Sequence, residues 1–147
     1  MYQQFSVARL MSQDHERILG LFKEFKREKK KEGSNARHIF KSFMTELQTH
    51  FRAEERVCHL LRKHDKYSNL MVLASMLDKE HTMLIRQAQD IHAQLGKNQK
   101  FIDTSDLYEL LTRHADTEDR YLYPEFDAQM TRSEKNWLRQ QLKQERR

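Results

Sequence analysis

Apolar residues recur along this chain at helical spacing. Val7, Met11, Ile18, Phe22 and Phe25 share one face, and the stripe stops before Glu32-Gly33-Ser34-Asn35, which predicts a first helix. Phe40, Phe43, Leu47, Val57 and Leu61 form a second stripe that ends near Asp65-Lys66-Tyr67-Ser68, where Ser68 or Asn69 is placed to cap the next helix. Leu70, Ala74, Leu77, Leu84, Ala88, Ile91 and Leu95 continue at alternating four-three spacing to Gly96, a C-terminal stop. Beyond the polar run Lys97-Asn98-Gln99-Lys100, Thr104 or Ser105 opens a fourth stripe of Leu107, Leu110, Leu111, Tyr121 and Leu122, predicted to end around Pro124. Thr131 with Glu134 has the capping-box pattern of a short fifth helix, about residues 131–145, whose Trp137, Leu138 and Leu142 can pack on the rest.

Four long helices with short connections predict an all-α fold, an antiparallel up-down-up-down four-helix bundle with a short C-terminal helix. Composition agrees, since 3 Gly and 1 Pro leave few helix breakers among 147 residues, a length that fits one domain (1–147) with its core at about 5–126. No run of about 18 apolar residues occurs, so no membrane span is expected. The N-terminal residues lack the pattern of a signal peptide, and the lone Cys58 cannot close an intrachain disulfide; a cytoplasmic protein is expected. The net charge of +5 comes largely from Lys26 to Lys31 and the terminal KQERR. The first run ends a helical pattern, where cations suit the helix dipole, and no aromatic interleaving or nucleic-acid motif accompanies it, so a nucleic-acid partner is not expected.

The apolar stripes are interrupted by ionisable residues in register. His15 falls between Met11 and Ile18, His50 and Glu54 between Leu47 and Val57, His81 between Leu77 and Leu84, and His114 and Glu118 between Leu111 and Tyr121. Residues four apart on a helix lie about 6 Å from each other on one face, so HFRAEER (50–56) and HADTEDR (114–120) each direct a His and a Glu to one point. Heights agree as well. With a turn at Gly33, His15 lies 18 residues before it and His50 17 after; with turns near Lys66 and Asn98, His81 and His114 reach the same layer.

One core histidine is ordinarily a hydrogen-bonded packing residue, but four in one layer with two buried carboxylates need a cationic centre. Mixed imidazole and carboxylate donors suit Fe, Mn or Zn rather than Ca or Mg. Six ligands suit two ions bridged by the carboxylates.

These motifs, DHERI around His15, HFRAEER, KEHTML around His81 and HADTEDRYLYPEF, resemble the hemerythrin-like, or HHE cation-binding, family from about Val7 to Phe126. The resemblance implies a four-helix bundle holding a non-heme di-iron centre with an oxo or hydroxo bridge. It implies that His15 and His50 bind one iron, His81 and His114 the other, and that Glu54 and Glu118 bridge them. Oxygen-carrying hemerythrins have a further His one turn from that of the third helix, where this chain has Leu77 and Ile85, and they space the last His and Asp by five, where His114 and Glu118 are four apart. Reversible oxygen carriage is therefore not expected. A reaction with O2, peroxide or nitric oxide, or sensing of iron or oxygen in stress response, is; an iron-dependent regulatory module or a purely structural metal site are the alternatives.

Other residues are expected to stand apart. Cys58 should be a small apolar filler. His38, His59, His64 and His92 lie roughly 13 to 21 Å along their helices from the ligand positions, too far to join. Tyr121 and Tyr123 are expected mainly in packing, with Tyr121 the one able to reach the site. Glu55, Arg56, Asp119 and Arg120 are expected in solvated or interhelix ion pairs, and Asp78 as an acceptor for an imidazole N–H.

Overall fold

The computed structural model describes residues 5–31, 34–96 and 99–145. Every regular element among them is helical: α1 (Val7–Glu28), α2 (Ala36–Leu61), α3 (Ser68–Gln94), α4 (Ser105–Thr117), α5 (Tyr123–Gln129) and α6 (Arg132–Glu145), with short 3-10 turns at Asp65–Tyr67 and Gln99–Phe101 and a π turn at Glu118–Leu122. None of these helices is long and apolar enough to cross a membrane. The expected turns at Gly33 and Asn98, Lys97 and the terminal Arg146-Arg147 lie outside the described residues.

The apolar stripes are buried nearly throughout, and aromatic pairs fix how the helices run. Phe25 meets Phe40 at 4.7 Å between ring centroids and Phe22 meets Phe43 at 5.3 Å, so α1 and α2 are antiparallel. Phe51 stacks on His81 at 3.8 Å while Phe40 faces His92 at 6.3 Å, which gives α2 and α3 the same relation. Phe22 also stacks on Tyr108 of α4. Two residues depart from the expected stripes, since Tyr121 is 61% and Trp137 45% exposed.

The first turn of α1 is capped from far along the chain. The Val7 and Ala8 N–H groups donate to Asp127 at 2.8 and 3.0 Å, and Ser6 Oγ, which accepts from the Arg9 N–H, donates to the same carboxylate at 2.8 Å. An α5 carboxylate thus satisfies orphan donors at the positive end of α1. The fourth helical stretch does not stop at Pro124. The π turn intervenes, with the Tyr123 N–H donating back to Glu118 O, and Pro124 sits in the first turn of α5, where its missing N–H is not needed.

Caps at the other helices divide between expected and unexpected. Gly96 takes φ +100° just after α3, as a helix stop requires. Ser68 and Asn69 lie within α3 rather than capping it, because the 3-10 turn leads straight into the helix. At α4 it is Asp103 that accepts from the Ser105 N–H, at 2.9 Å. The capping box at α6 is reciprocal: the Glu134 N–H donates to Thr131 Oγ1 at 3.2 Å and the Thr131 N–H to Glu134 Oε1 at 2.9 Å.

Glu134 also ties α6 to the turn before α3, accepting from Lys66 Nζ at 2.7 Å and Tyr67 OH at 2.8 Å. Burial opposes its charge, yet Lys66, the Thr131 N–H and Tyr67 together hold its carboxyl down at about 2, below the ordinary 4.5. A depressed carboxyl stabilises the fold above its ordinary value and loses that contribution as pH falls toward the folded value. Glu134→Gln is therefore expected to cost about 1 kcal/mol at neutral pH. The gap from wild type in thermal melting should close as pH is lowered from 4.5 toward 2; a gap independent of pH would contradict the charge-based anchoring.

Candidate metal centre

Each helix places its ionisable residues by the same periodicity that places its apolar ones. His15 stands between Met11 and Ile18 on α1, His50 and Glu54 follow Leu47 on α2, His81 lies between Leu77 and Leu84 on α3, and His114 follows Leu111 on α4. Glu118 opens the π turn. All six side chains are buried, with Glu54 and Glu118 at 1% and 0% exposure.

The structure brings the six together as two groups able to hold a metal ion. In one, Glu54, His81, His114 and Glu118 each offer a ligand atom within 4.8 Å of the others; in the second, His15, His50 and Glu118 do so. Glu118 belongs to both, its Oε1 being 3.1 Å from His15 Nε2 and 3.2 Å from His114 Nε2. Glu54 spans them too, with Oε2 at 3.3 Å from His50 Nε2 and Oε1 at 3.4 Å from His81 Nε2.

Buried polar atoms at the centre lack hydrogen-bond partners: Glu54 Oε1, His81 Nε2, His114 Nε2 and Glu118 Oε2. Two carboxylates and four imidazoles aimed at one point, with donor atoms left unpaired, fit a cationic occupant. Protein charges alone give a strained balance. Burial opposes charge on every imidazole, but neighbouring carboxylates outweigh it, lifting His15 to about 10 through Asp119 and Glu118, and His81 to about 9 through Glu54 and Glu55. His50 and His114 are raised in the same way. Burial would raise Glu54, yet its bonds to Glu118, His50 and His81 hold it well below the carboxylate range, whereas burial and the Glu54 charge raise Glu118. The two carboxylates titrate as a pair, and a bound cation would take over the role of the protons they share.

A second layer of four carboxylates surrounds the imidazoles. Asp14 of α1 binds His50 Nδ1 at 3.0 Å, Glu55 of α2 binds His81 Nδ1 at 3.1 Å, Glu80 of α3 binds His114 Nδ1 at 2.8 Å, and Asp119 of the π turn binds His15 Nδ1 at 3.0 Å. Each element orients the imidazole of another, and the relation closes into a ring. An Nδ1–H donated outward leaves the Nε2 lone pair directed inward, the form a metal ligand needs.

Sequence reasoning missed most of this ring. Glu55 and Asp119 reach across to other elements, as expected, but their partners are the imidazoles of His81 and His15, and Arg120 pairs with Asp116 at 2.9 Å. Asp14 and Glu80 were not anticipated, although an acid directly before a histidine of the site, as in Asp14-His15 and Glu80-His81, was the available signal. Asp78 lies 3.8 Å from His81 Nδ1, too far for a hydrogen bond, because Glu55 is nearer.

Of the two tyrosines it is Tyr123, not Tyr121, that reaches the site. Its OH donates to Glu54 Oε2 at 2.8 Å and lies 3.3 Å from His50 Nε2. The π turn inserts one residue after Glu118, which carries Tyr121 outward and Tyr123 inward. Burial pushes the Tyr123 hydroxyl well above its ordinary value and keeps it a donor. Cys58 is buried with its thiol pushed up by burial, and it joins neither ligand group. Neither do His38, His59, His64 and His92 among the described residues.

Comparison of the chain with protein-family models, with curated proteins and with solved structures finds no match. The geometry of the centre therefore carries its own interpretation.

Tyr123→Phe keeps the ring packing and removes the donor to Glu54. It is expected to lower the stability of the metal-free protein by about 1–2 kcal/mol in urea unfolding; an unchanged midpoint would mean that the hydroxyl does not support Glu54.

Proposed function

We propose that this chain is a hemerythrin-like non-heme di-iron protein that reacts with or senses O2, hydrogen peroxide or nitric oxide, in stress response or iron homeostasis. The observation that carries the reading is the sharing of Glu118 by two ligand groups, with Glu54 spanning the same gap. That arrangement suits two ions rather than one. His15 and His50 would hold one ion, His81 and His114 the other, and α1 to α4 would form the up-down-up-down bundle that presents them.

Imidazole and carboxylate donors, with the thiol of Cys58 withdrawn into the apolar core, accept Fe, Mn or Zn, and the resemblance of the ligand motifs to the hemerythrin-like family favours iron among them. Bound iron would supply redox chemistry. The chain's own contribution is to orient four imidazoles from outside, to hold the two carboxylates of Glu54 and Glu118 buried between them, and to keep the Tyr123 hydroxyl as a donor beside the His15–His50 pole. Ile18, Leu19, Leu47, Phe51, Leu111 and Ala115 wall a cavity of about 10 Å³ next to His15, His50 and His114, at the lower limit of the space one water needs. Two imidazoles per ion, without a further His at Leu77 or Ile85, fit reaction or sensing better than reversible carriage. The cytoplasm, where the lone thiol stays reduced, is the compartment this reading implies.

One observation favours a regulatory or structural reading beside the redox one. The site lies between two separate apolar clusters, one built around Val57, Tyr67 and Phe126 and the other around Phe22, Phe40 and Leu107. Iron would then join the two halves of the core, and folding itself would report iron.

Protein purified without oxygen should contain two irons per chain and an absorption spectrum that changes with air, peroxide or nitric oxide. Absence of iron, or zinc with a featureless spectrum, would overturn the redox reading. Loss of helical circular dichroism on iron removal would identify the iron-dependent fold; a folded metal-free protein would exclude it. His81→Ala is expected to hold fewer than two irons per chain, and retention of both would overturn the ligand assignment.

A further inference from the structure

Four imidazoles of the centre are held by outer carboxylates, but the four holds are unequal. Asp14, which orients His50, is 2% exposed and accepts a second bond from Arg17 at 2.7 Å; Arg17 in turn donates to Glu46 at 3.1 Å. Asp119, which orients His15, is fixed by Ser12 Oγ at 3.0 Å. The Glu55 side chain, which orients His81, is 51% exposed. His81 also has a second acceptor within reach, since Asp78 Oδ1 is 3.8 Å from its Nδ1 and is buried with no hydrogen-bond partner. Phe51 lies flat against the His81 ring at 3.8 Å and 12°.

Beside this imidazole a groove of about 530 Å³ opens between α2 and α3, with Phe51, Glu55, His81 and Thr82 in its lining. We infer that metal ions enter and leave the centre through this groove, with Glu55 as the positioning residue whose hold on His81 sets the exchange rate. The inference rests on the metal-binding reading above. Exchange requires one ligand to let go first, and the ligand that leaves most readily is the one whose outer partner is half in water and whose N–H has another carboxylate to turn to. Arg52 and Arg86 also line the groove, so an incoming cation is best accompanied by an anionic ligand, and release is the cleaner step to follow.

The test uses full-length protein loaded anaerobically with ferrous iron and mixed with a ferrous chelator. Thr82→Trp should plug the groove and slow release on the order of tenfold with wild-type iron content and melting temperature, and Glu55→Gln should speed release on the order of tenfold. Gln89→Trp, on the same groove, replaces Thr82→Trp if that variant fails to fold. Glu16→Trp, at an exposed position of α1, should release iron at the wild-type rate. Wild-type release in a plugged variant or in Glu55→Gln, or equal slowing by Glu16→Trp, overturns the route while leaving the metal site intact. Failure of the wild-type chain to load iron at all overturns the site reading and the route with it.

Discussion

Burying the carboxylates of Glu54 and Glu118 between two apolar clusters is the constraint on which the rest of this structure turns. Each charge taken out of water costs several kcal/mol unless opposite charge and hydrogen bonds compensate it. The chain supplies four imidazoles within about 3.4 Å of these oxygens and one tyrosine hydroxyl, and it leaves four donor atoms facing inward unpaired. A core of this size does not ordinarily tolerate such a layer, and its presence on every long helix is what gives the protein a chemical identity.

The outer carboxylates extend the same logic by one shell. Because Asp14, Glu55, Glu80 and Asp119 each reach across to a neighbouring element, orientation of the ligands and packing of the helices are one problem with one solution. Rotating any helix would break both a hold that it gives and a hold that it receives. The ring also adds negative charge around the imidazoles, which would strengthen them as donors to a metal ion. Its unequal burial, from enclosed Asp14 to half-exposed Glu55, makes the two ends of the centre physically distinct.

The π turn at Glu118–Leu122 is the local device that completes the centre. A regular helix continuing from His114 would bring Leu122 and Tyr121 to the core face. The added residue keeps Leu122 buried, turns Tyr121 to solvent and swings Tyr123 inward to Glu54. It also delivers Pro124 to the start of α5, and α5 in turn supplies Asp127 to cap α1. A single change of helical register thus links the site to the closure of the fold.

Periodicity in the amino-acid sequence by itself determined which residues form helices, which face of each is apolar, and that four histidines and two glutamates interrupt those faces at one depth. It could do so because helical spacing is local and burial follows composition. The α6 capping box and the Gly96 stop were legible for the same reason. Only tertiary structure decided which carboxylate meets which imidazole, why Tyr123 and not Tyr121 faces the site, and why Glu55 rather than Asp78 binds His81. Those choices depend on the relative rotation of packed helices and on a one-residue register change, neither of which alters the hydrophobic pattern from which a sequence is read.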